Sequence, residues 1–520
     1  MASRRFYITT PIYYVNDVPH IGHSYTTVVA DVLARYHRLF GNEVKMLTGV
    51  DEHGQKVQQA TQKNGMEPQA YTDQMAERFR DIWKELNIQH DIFFRTTDKF
   101  HVKAVQKALQ ELFDKGEIYS EDYEGLYCVS EEIFYTEKDL VNGKTPSGKE
   151  VVPLKEKNYF FRMSKYQQKL IEHIEKNPGF IQPENRKNEI LGFLKKPLQD
   201  LCISRPKARL SWGVELPFDK DYVCYVWFDA LLNYTTGVGY QQPERAPEFQ
   251  KWWTDNPPVH LVGKDILTTH TVYWPCMLMA LGVKLPSTVF GHGWWMIDGE
   301  KMSKSQGAVV RPLDVKNIVG VDPLRYFLTR DIFLGADASF STDLVVTRVN
   351  AELANNLGNL LSRVTNLVDK NFSGTAPALV NPLSPESQAV LGKIEGLADR
   401  VQKKIEALDP QGAVIEVLEL LNDANKYIGD RAPWKQVKEP DLAPAAETLA
   451  ICLEVLRVAG ILWSPIMPTK CGELLKIIGW NKAPTLADAK LVRGMPAGAK
   501  VAKPEPLFPR VEWKTEPAKK

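Results

Sequence analysis

The sequence predicts an α/β protein: a parallel nucleotide-type sheet, split by a connective insertion and followed by an all-helical block. Three observations carry that expectation. Across residues 1–115 short aromatic and β-branched runs alternate with amphipathic helical stretches, the pattern of successive βα units. Residues 116–225 change texture, and the alternation then resumes over 226–346. From about residue 347 apolar positions recur at helical spacing up to about residue 480.

Taken in order, residues 6–10 (Phe-Tyr-Ile-Thr-Thr) read as a buried strand stopped by Pro11. A helix is expected from Ser24 to about Phe40, with Val28, Val32, Ala34 and Leu39 apolar and Gly41 as its stop. Residues 44–47 form the next strand and deliver Asp51 to its carboxyl edge, where such sheets place ligands. In the insertion, strand-like pieces surround residues 123–134 and 158–163, with a Lys/Gly/Pro-rich turn over 142–150. Strand–helix alternation resumes with Tyr225-Val226-Trp227 and His260-Leu261-Val262, and another strand-like run covers residues 287–291. In the helical block Val349, Leu353, Leu357, Leu360, Val364 and Leu367 make one core stripe. Residues 481–520 form a tail whose segment from Lys490 holds eight basic and three acidic residues, either a strap or a loose arm.

Composition narrows the function classes. With 520 residues, 44% hydrophobic and 25% charged, the chain is an ordinary globular protein with room for several domains. A formal net charge of +1 excludes a globally basic nucleic-acid binder, so any such contact needs local basic faces and stacking aromatics. Arg4 and Arg5 lead into a polar strand rather than an apolar leader, and no apolar run reaches membrane-spanning length. Six scattered cysteines suit reduced thiols and a cytoplasmic location.

Two short motifs point to chemistry. His20-Ile21-Gly22-His23 falls where a strand hands over to a helix, the place where unpaired N–H groups and the helix dipole favour phosphate. Gly22 removes a side chain, so a flat group such as adenine can approach the backbone. Lys301-Met302-Ser303-Lys304-Ser305 follows another strand-like run and the turn-forming Asp298-Gly299, and reads as a polar loop able to close on a triphosphate. Alone, each motif also fits a solvated helix start or an ordinary basic loop. Together, in this order, they describe one nucleotide site that activates a carboxylate with ATP.

These motifs carry a resemblance. With Thr9-Thr10-Pro11-Ile12-Tyr13-Tyr14-Val15-Asn16, Gly49-Val50-Asp51-Glu52-His53-Gly54, Tyr225-Val226-Trp227-Phe228-Asp229-Ala230, Gly263-Lys264-Asp265 and Arg431-Ala432-Pro433-Trp434, the chain resembles the methionyl-tRNA synthetase family of class I aminoacyl-tRNA synthetases over about residues 4–480. The resemblance implies a Rossmann-type catalytic domain and an anticodon-binding bundle. It implies that His20 and His23 stabilise the phosphate transition state, and that Lys301 and Lys304 contact the departing pyrophosphate. Gly22, Gly263, Asp265, Ser303 and Ser305 would hold the nucleotide. Asp265 suits a ribose hydroxyl, or alternatively caps the helix that follows. Asp51 and the backbone of Ile12 would hold the substrate ammonium, with Tyr14, Trp227, Ala230, Tyr234, Ile266 and His270 lining a side-chain pocket. Trp227, Ala230 and Tyr234 have the spacing of one helical face, and the Tyr234 hydroxyl is the expected partner of the sulfur. Plain core packing explains each of these residues equally well when taken singly. Leu231 stands where some relatives carry proline.

Many relatives hold zinc in the insertion through Cys-x-x-Cys knuckles. This chain has Cys128-Val129-Ser130-Glu131 and, in the second knuckle region, Lys144-Thr145-Pro146-Ser147-Gly148-Lys149. One thiolate cannot build a closed zinc site, so no metal is expected there and Cys128 is expected to be buried. Mg²⁺ is expected with the nucleotide. Asn359 and Arg363, four apart on a polar helix flank, and Trp434 suit edge bonds and stacking to one splayed base. By resemblance they read the anticodon of methionine tRNA, initiator and elongator alike. A half-buried tryptophan and a solvated flank would look the same. The chain ends without the oligonucleotide-binding module that dimerises some relatives, so a monomer is expected. The competing readings are another class I synthetase or small nucleotidyltransferase, and a tRNA-binding protein without catalysis.

Overall fold

The first strand, Arg5–Tyr14, runs straight through Pro11 rather than stopping at it. Its parallel pairing with Glu43–Asp51 shifts register between Thr9 and Ile12, so the proline occupies an irregularity where its missing N–H interrupts no ladder bond. In this computed structural model, which describes residues 4–16, 18–128, 133–135, 137–297, 300–301, 310–503 and 505–513, that strand is central. Six parallel strands lie in the order Ile92–Arg95, Glu43–Asp51, Arg5–Tyr14, Val259–Gly263, Thr288–His292, Ile181–Gln182. The chain order reverses beside Arg5–Tyr14, where the two halves of the alternation meet. Such a switch point opens a crevice beyond the strand ends.

The helix after the first strand spans Ile21–Leu39 and starts earlier than apolar spacing predicts. The reason is its cap. His20 Nδ1 accepts the N–H of Gly22 at 3.1 Å, and His23 Nδ1 accepts the N–H of His20 at 3.3 Å. This reciprocal arrangement is a capping box made of imidazoles instead of the usual hydroxyl and carboxylate.

Between the halves, Ile118–Cys128 pairs antiparallel with Val152–Phe161, which pairs with Leu201–Cys202, while Ile133–Tyr135 flanks the other edge. The same stretch also gives Ile181–Gln182 to the edge of the main sheet, so it is not wholly set apart from it. Cys128 is fully buried at its strand end. Val129, Ser130 and Glu131 lie outside the described residues.

The helical block begins with Thr342–Arg348, widens into π-type turns over Val349–Gly358, and returns to α geometry over Asn359–Asn371. The stripe steps by four up to Leu357, longer than the 3.6 of an α-helix, and matches the wider turns. Val349, Leu353, Leu357, Leu360 and Val364 are buried, and Leu367 is partly so. The helix Ala443–Trp463 runs through the centre of the block and carries the buried pair Glu454–Arg457. That pair receives the tail. Glu454 accepts the N–H groups of Gly494 and Met495, and Arg457 donates to the carbonyls of Asp488 and Leu491. Farther on, Val511 exchanges two bonds with the Asn350 side chain, at 2.9 and 3.0 Å. Of the two expectations for the tail, its described part is a strap.

The joint between sheet and helical block is a buried ion pair. Asp31, on the histidine-led helix, accepts from Arg325 Nη2 at 2.6 Å, and neither side chain is exposed at all. Arg325 also donates to the carbonyls of Leu86, Asn87, Pro465 and Ile466. Arg325→Met is therefore expected to destabilise the chain by about 3–5 kcal/mol, the cost of orphaning a buried charge. A urea denaturation midpoint equal to that of the wild type would show that the pair does not hold the joint.

Candidate active site

The switch-point crevice is a cleft of about 430 Å³. It is lined by Ile12, Tyr14, His20, Gly22, His23, Asp51, Trp227, Ala230, Tyr234, Gly263, Asp265, Ile266 and His270, which the sequence scatters over about half its length. Each reaches the cleft for a local reason. Ile12 and Tyr14 end the first strand, Asp51 ends the second, and Gly263 ends Val259–Gly263. His20 and His23 cap the helix at the switch point, their rings stacked 3.8 Å apart. Because each Nδ1 accepts a backbone N–H, each ring carries its proton on Nε2, the atom that can donate to a phosphate.

The lysine motif falls mostly outside the described residues, Ser303, Lys304 and Ser305 included. Its two ends are informative. The backbone of Lys301 pairs with Met296, next to the cleft-lining Trp295. At the far end Val310 accepts the N–H of Ile21 at 3.0 Å, one residue from His20. Both described ends, Lys301 and Val310, therefore lie close to residues of the same cleft.

Trp227 and Ala230 lie on the helix Val226–Leu231, but Tyr234 belongs to a second short helix, Asn233–Thr236. The single helical face expected from their spacing is broken at Leu232, yet all three still face the cleft. Asp265 sits inside the 3₁₀ turn Lys264–Ile266, which Gly263 precedes without a side-chain cap. It accepts the indole N–H of Trp294 at 3.2 Å, so the capping alternative does not describe it.

Beneath the pocket, neutral histidines fix the direction of each hydrogen bond. His270 Nδ1 faces the Ile266 carbonyl at 2.9 Å and must donate, so its Nε2 accepts the Tyr234 hydroxyl at 2.8 Å. A sulfur atom would have to compete with His270 for that proton. His260 Nε2 accepts from Trp274 at 3.2 Å, which leaves Nδ1–H for Thr9 Oγ1 at 2.7 Å. Burial lowers the His260 and His292 pKa values and takes His270 down to about 4. Under the opposite wall Asp229 joins His53 at 2.6 Å and His101 at 2.9 Å. Burial raises its pKa, but the two histidines outweigh burial and hold it at about 2. His260, His292, His53, His101 and Asp229 carry no chemical assignment from sequence. Their mutual contacts become visible only when the strands assemble, although Asp229, His53 and His260 stood inside quoted segments.

In the helical block Asn359 is exposed, while Arg363 donates to Asn425 Oδ1 at 2.6 Å. Trp434 follows the left-handed Ala432, which ends the helix Pro410–Arg431, and keeps 38% of its surface exposed. Arg363 and Trp434 occupy separate helices that both pack on Ala443–Trp463. Among the described residues no group of three or more His, Cys, Asp or Glu side chains is placed to hold a metal.

Comparison with known proteins decides the family. The family described as tRNA synthetases class I (M) matches residues 6–152 and 138–365, and the anticodon binding domain of methionyl tRNA ligase matches 380–517. The chain belongs to the class I methionyl-tRNA synthetases. A methionine–tRNA ligase of Caldanaerobacter subterraneus subsp. tengcongensis is 44% identical over 99% of this chain and 80% of its own. One of Streptomyces coelicolor is 43% identical over 98% of both. Among solved structures, Mycobacterium tuberculosis methionyl-tRNA synthetase in complex with methionyl-adenylate superposes with a TM-score of 0.93 at 39% identity, covering 98% of this chain and 100% of that one. The free form of the Mycobacterium tuberculosis enzyme gives 0.85 at 35% identity, with 99% of each covered. As a methionine–tRNA ligase the enzyme couples ATP-dependent methionine activation to transfer onto tRNA. The described residues contain no helix long and apolar enough to cross a membrane.

Four buried histidines of this synthetase, His37, His260, His270 and His292, contribute acid sensitivity. Burial holds their folded values below the ordinary 6.5, at about 4 for His37 and His270, so the unfolded chain binds more protons between about pH 4 and pH 6.5. Stability is therefore expected to be full above pH 6.5 and to fall as pH drops towards 4. The thermal midpoint at pH 5 should lie below that at pH 7; a midpoint that rises on acidification would contradict neutral His37, His260 and His270.

Proposed function

We propose that the cleft performs both half-reactions of methionine–tRNA ligation with the residues gathered on its walls. The observation that carries this reading is that one cavity is lined by His20 and His23 together with Asp51, Trp227 and Tyr234. A phosphate-facing group and an amino-acid-sized pocket thus share one space. Asp51 and the Ile12 backbone hold the methionine ammonium, and Tyr14, Trp227, Ala230, Tyr234, Ile266 and His270 enclose the side chain. Gly263 lets the nucleotide approach the sheet edge, and Asp265 accepts a ribose hydroxyl. A methionine carboxylate oxygen attacks the α-phosphorus, an O–P bond forms, and the bond to pyrophosphate breaks. The Nε2–H groups of His20 and His23 meet the charge that grows on the phosphate, and Lys301 and Lys304 follow the leaving pyrophosphate. The terminal 2′-hydroxyl of the tRNA then attacks the carbonyl carbon, an ester C–O bond forms, AMP departs with the bonding electron pair, and the hydroxyl proton passes to water. No protein nucleophile is required.

Mg²⁺ enters with the triphosphate, which supplies most of its ligands, and no step is assigned to it. The insertion holds no zinc, on the ground that Cys128 stands without a second knuckle cysteine. Asn359, Arg363 and Trp434 read the anticodon of initiator and elongator methionine tRNA. The enzyme works as a cytoplasmic monomer, built as residues 1–115 and 226–346 for catalysis, 116–225 as insertion, 347–480 for the anticodon and 481–520 as tail.

Pyrophosphate exchange measured with all twenty amino acids tests the reading, and exchange that depends on an amino acid other than methionine would overturn it. Replacing both Lys301 and Lys304 with alanine is expected to slow adenylate formation by about 10²–10³-fold in single turnover while the protein stays folded. Trp434→Ala is expected to weaken tRNA charging by about 1–3 kcal/mol and to spare exchange, since it removes a stacking face remote from ATP. Equal loss in both assays would make Trp434 structural. Elemental analysis is expected to find zinc well below one equivalent.

A further inference from the structure

Lys56 is the one lysine or arginine among the described residues lining the cleft, and neither the nucleotide nor the methionine assignment uses it. It is the second residue of the helix Gln55–Asn64, which follows Asp51. Its Nζ stands 5.2 Å from the centre of the Tyr14 ring. An aromatic face steadies a cation there without neutralising it. Lysines elsewhere on this domain, such as Lys45, Lys264 and Lys316, are ion-paired. Among the described residues no acidic side chain comes within the 4.0 Å of an ion pair to Lys56. A half-buried ammonium left without a counter-charge in an active-site cleft is a place for an anionic part of the substrate.

The backbone bearing Lys56 is held firmly. Gln58 Oε1 accepts the N–H groups of Ser211 and Trp212 at 3.0 and 3.2 Å, and Gly54 donates to the Trp212 carbonyl at 3.3 Å. Strand order then says which side of the substrate it meets. Along the carboxyl edge come Glu43–Asp51, Arg5–Tyr14, Val259–Gly263 and Thr288–His292. The lysine motif follows the last of these, and Lys56 follows the first. The ammonium therefore enters from the amino-acid flank, opposite the side assigned to pyrophosphate.

We propose that Lys56 is a catalytic residue of this reaction, pairing with a substrate phosphate on the methionine flank of the cleft. Two phosphates present the same singly charged group there: that of methionyl-adenylate, and the phosphodiester preceding the terminal adenosine of the tRNA. Lys56 acts by charge alone. In the transfer step the ester C–O bond forms, the C–O bond to AMP breaks with its electron pair going to AMP, the hydroxyl proton passes to water, and the ammonium keeps its protons throughout. The inference rests on the function proposed for the cleft.

The test separates the two half-reactions in wild type, Lys56→Ala and Lys56→Arg. Methionine-dependent exchange reads the first, and single-turnover transfer from enzyme-bound adenylate to tRNA reads the second. Lys56→Ala is expected to slow one of them by about 10- to 100-fold, the weight of a charge-assisted contact, and Lys56→Arg to recover most of it. Loss of exchange assigns the adenylate phosphate; loss confined to transfer assigns the tRNA phosphodiester. Alanine rates within about threefold of wild type in both steps would overturn the proposal. So would equal losses in both variants with a lowered melting temperature, which mark a structural lysine. Wild-type exchange with methionine, measured alongside, distinguishes failure of Lys56 from failure of the cleft's proposed function.

Discussion

The Asp31–Arg325 pair is the constraint on which the rest of the molecule depends. A guanidinium with no exposed surface has to satisfy its donors inside the protein, and Arg325 does so with one carboxylate and four carbonyls drawn from separate stretches of chain. Asp31 in turn serves Arg35 and the backbone N–H of Gln89. Desolvating two charges is expensive, and a pair of apolar side chains could fill the volume at lower cost. What the ionic pair adds is direction. It permits one relative placement of the helix led by His20 and the turn that ends Ala443–Trp463, so the catalytic end and the RNA-reading end share a fixed frame.

Within the cleft the same logic works at smaller scale. Two polar edges of the aromatic rings at the pocket floor, the Tyr234 hydroxyl and the Trp274 indole N–H, are each met by a neutral imidazole. His260 and His270 each accept on one nitrogen and donate on the other, so the chain from Trp274 to Thr9 and from Tyr234 to Ile266 has only one consistent arrangement of protons. Burial keeps those rings uncharged, so no charge sits on the pocket floor.

What sequence reveals and what it hides follow from distance along the chain. The histidine motif, Asp51 and the Trp227–Tyr234 stretch are legible because each is a local pattern at the end of a strand. The Asp229 cluster is not, since His53 and His101 reach it across 176 and 128 residues. His292, which meets Thr26 over a separation of 266, is hidden for the same reason. The early start of the Ile21–Leu39 helix escaped because imidazoles are outside the usual capping alphabet, and Pro11 misled because a register shift can house a proline. The wide turns at Val349–Gly358 left a trace in the four-residue steps of the core stripe, a signal that the ordinary 3.6 period absorbs.

The central position of Arg5–Tyr14 has a consequence in time. Its neighbour on one side follows within a few dozen residues, but on the other side Thr9 waits for His260, 251 residues later. At about 5–20 residues per second a ribosome needs roughly 13–50 s to supply that partner. For this interval the nascent strand has one open edge, the kind of surface that recruits wrong partners. The two histidines at its end are thus among the first residues made and among the last to find their site complete.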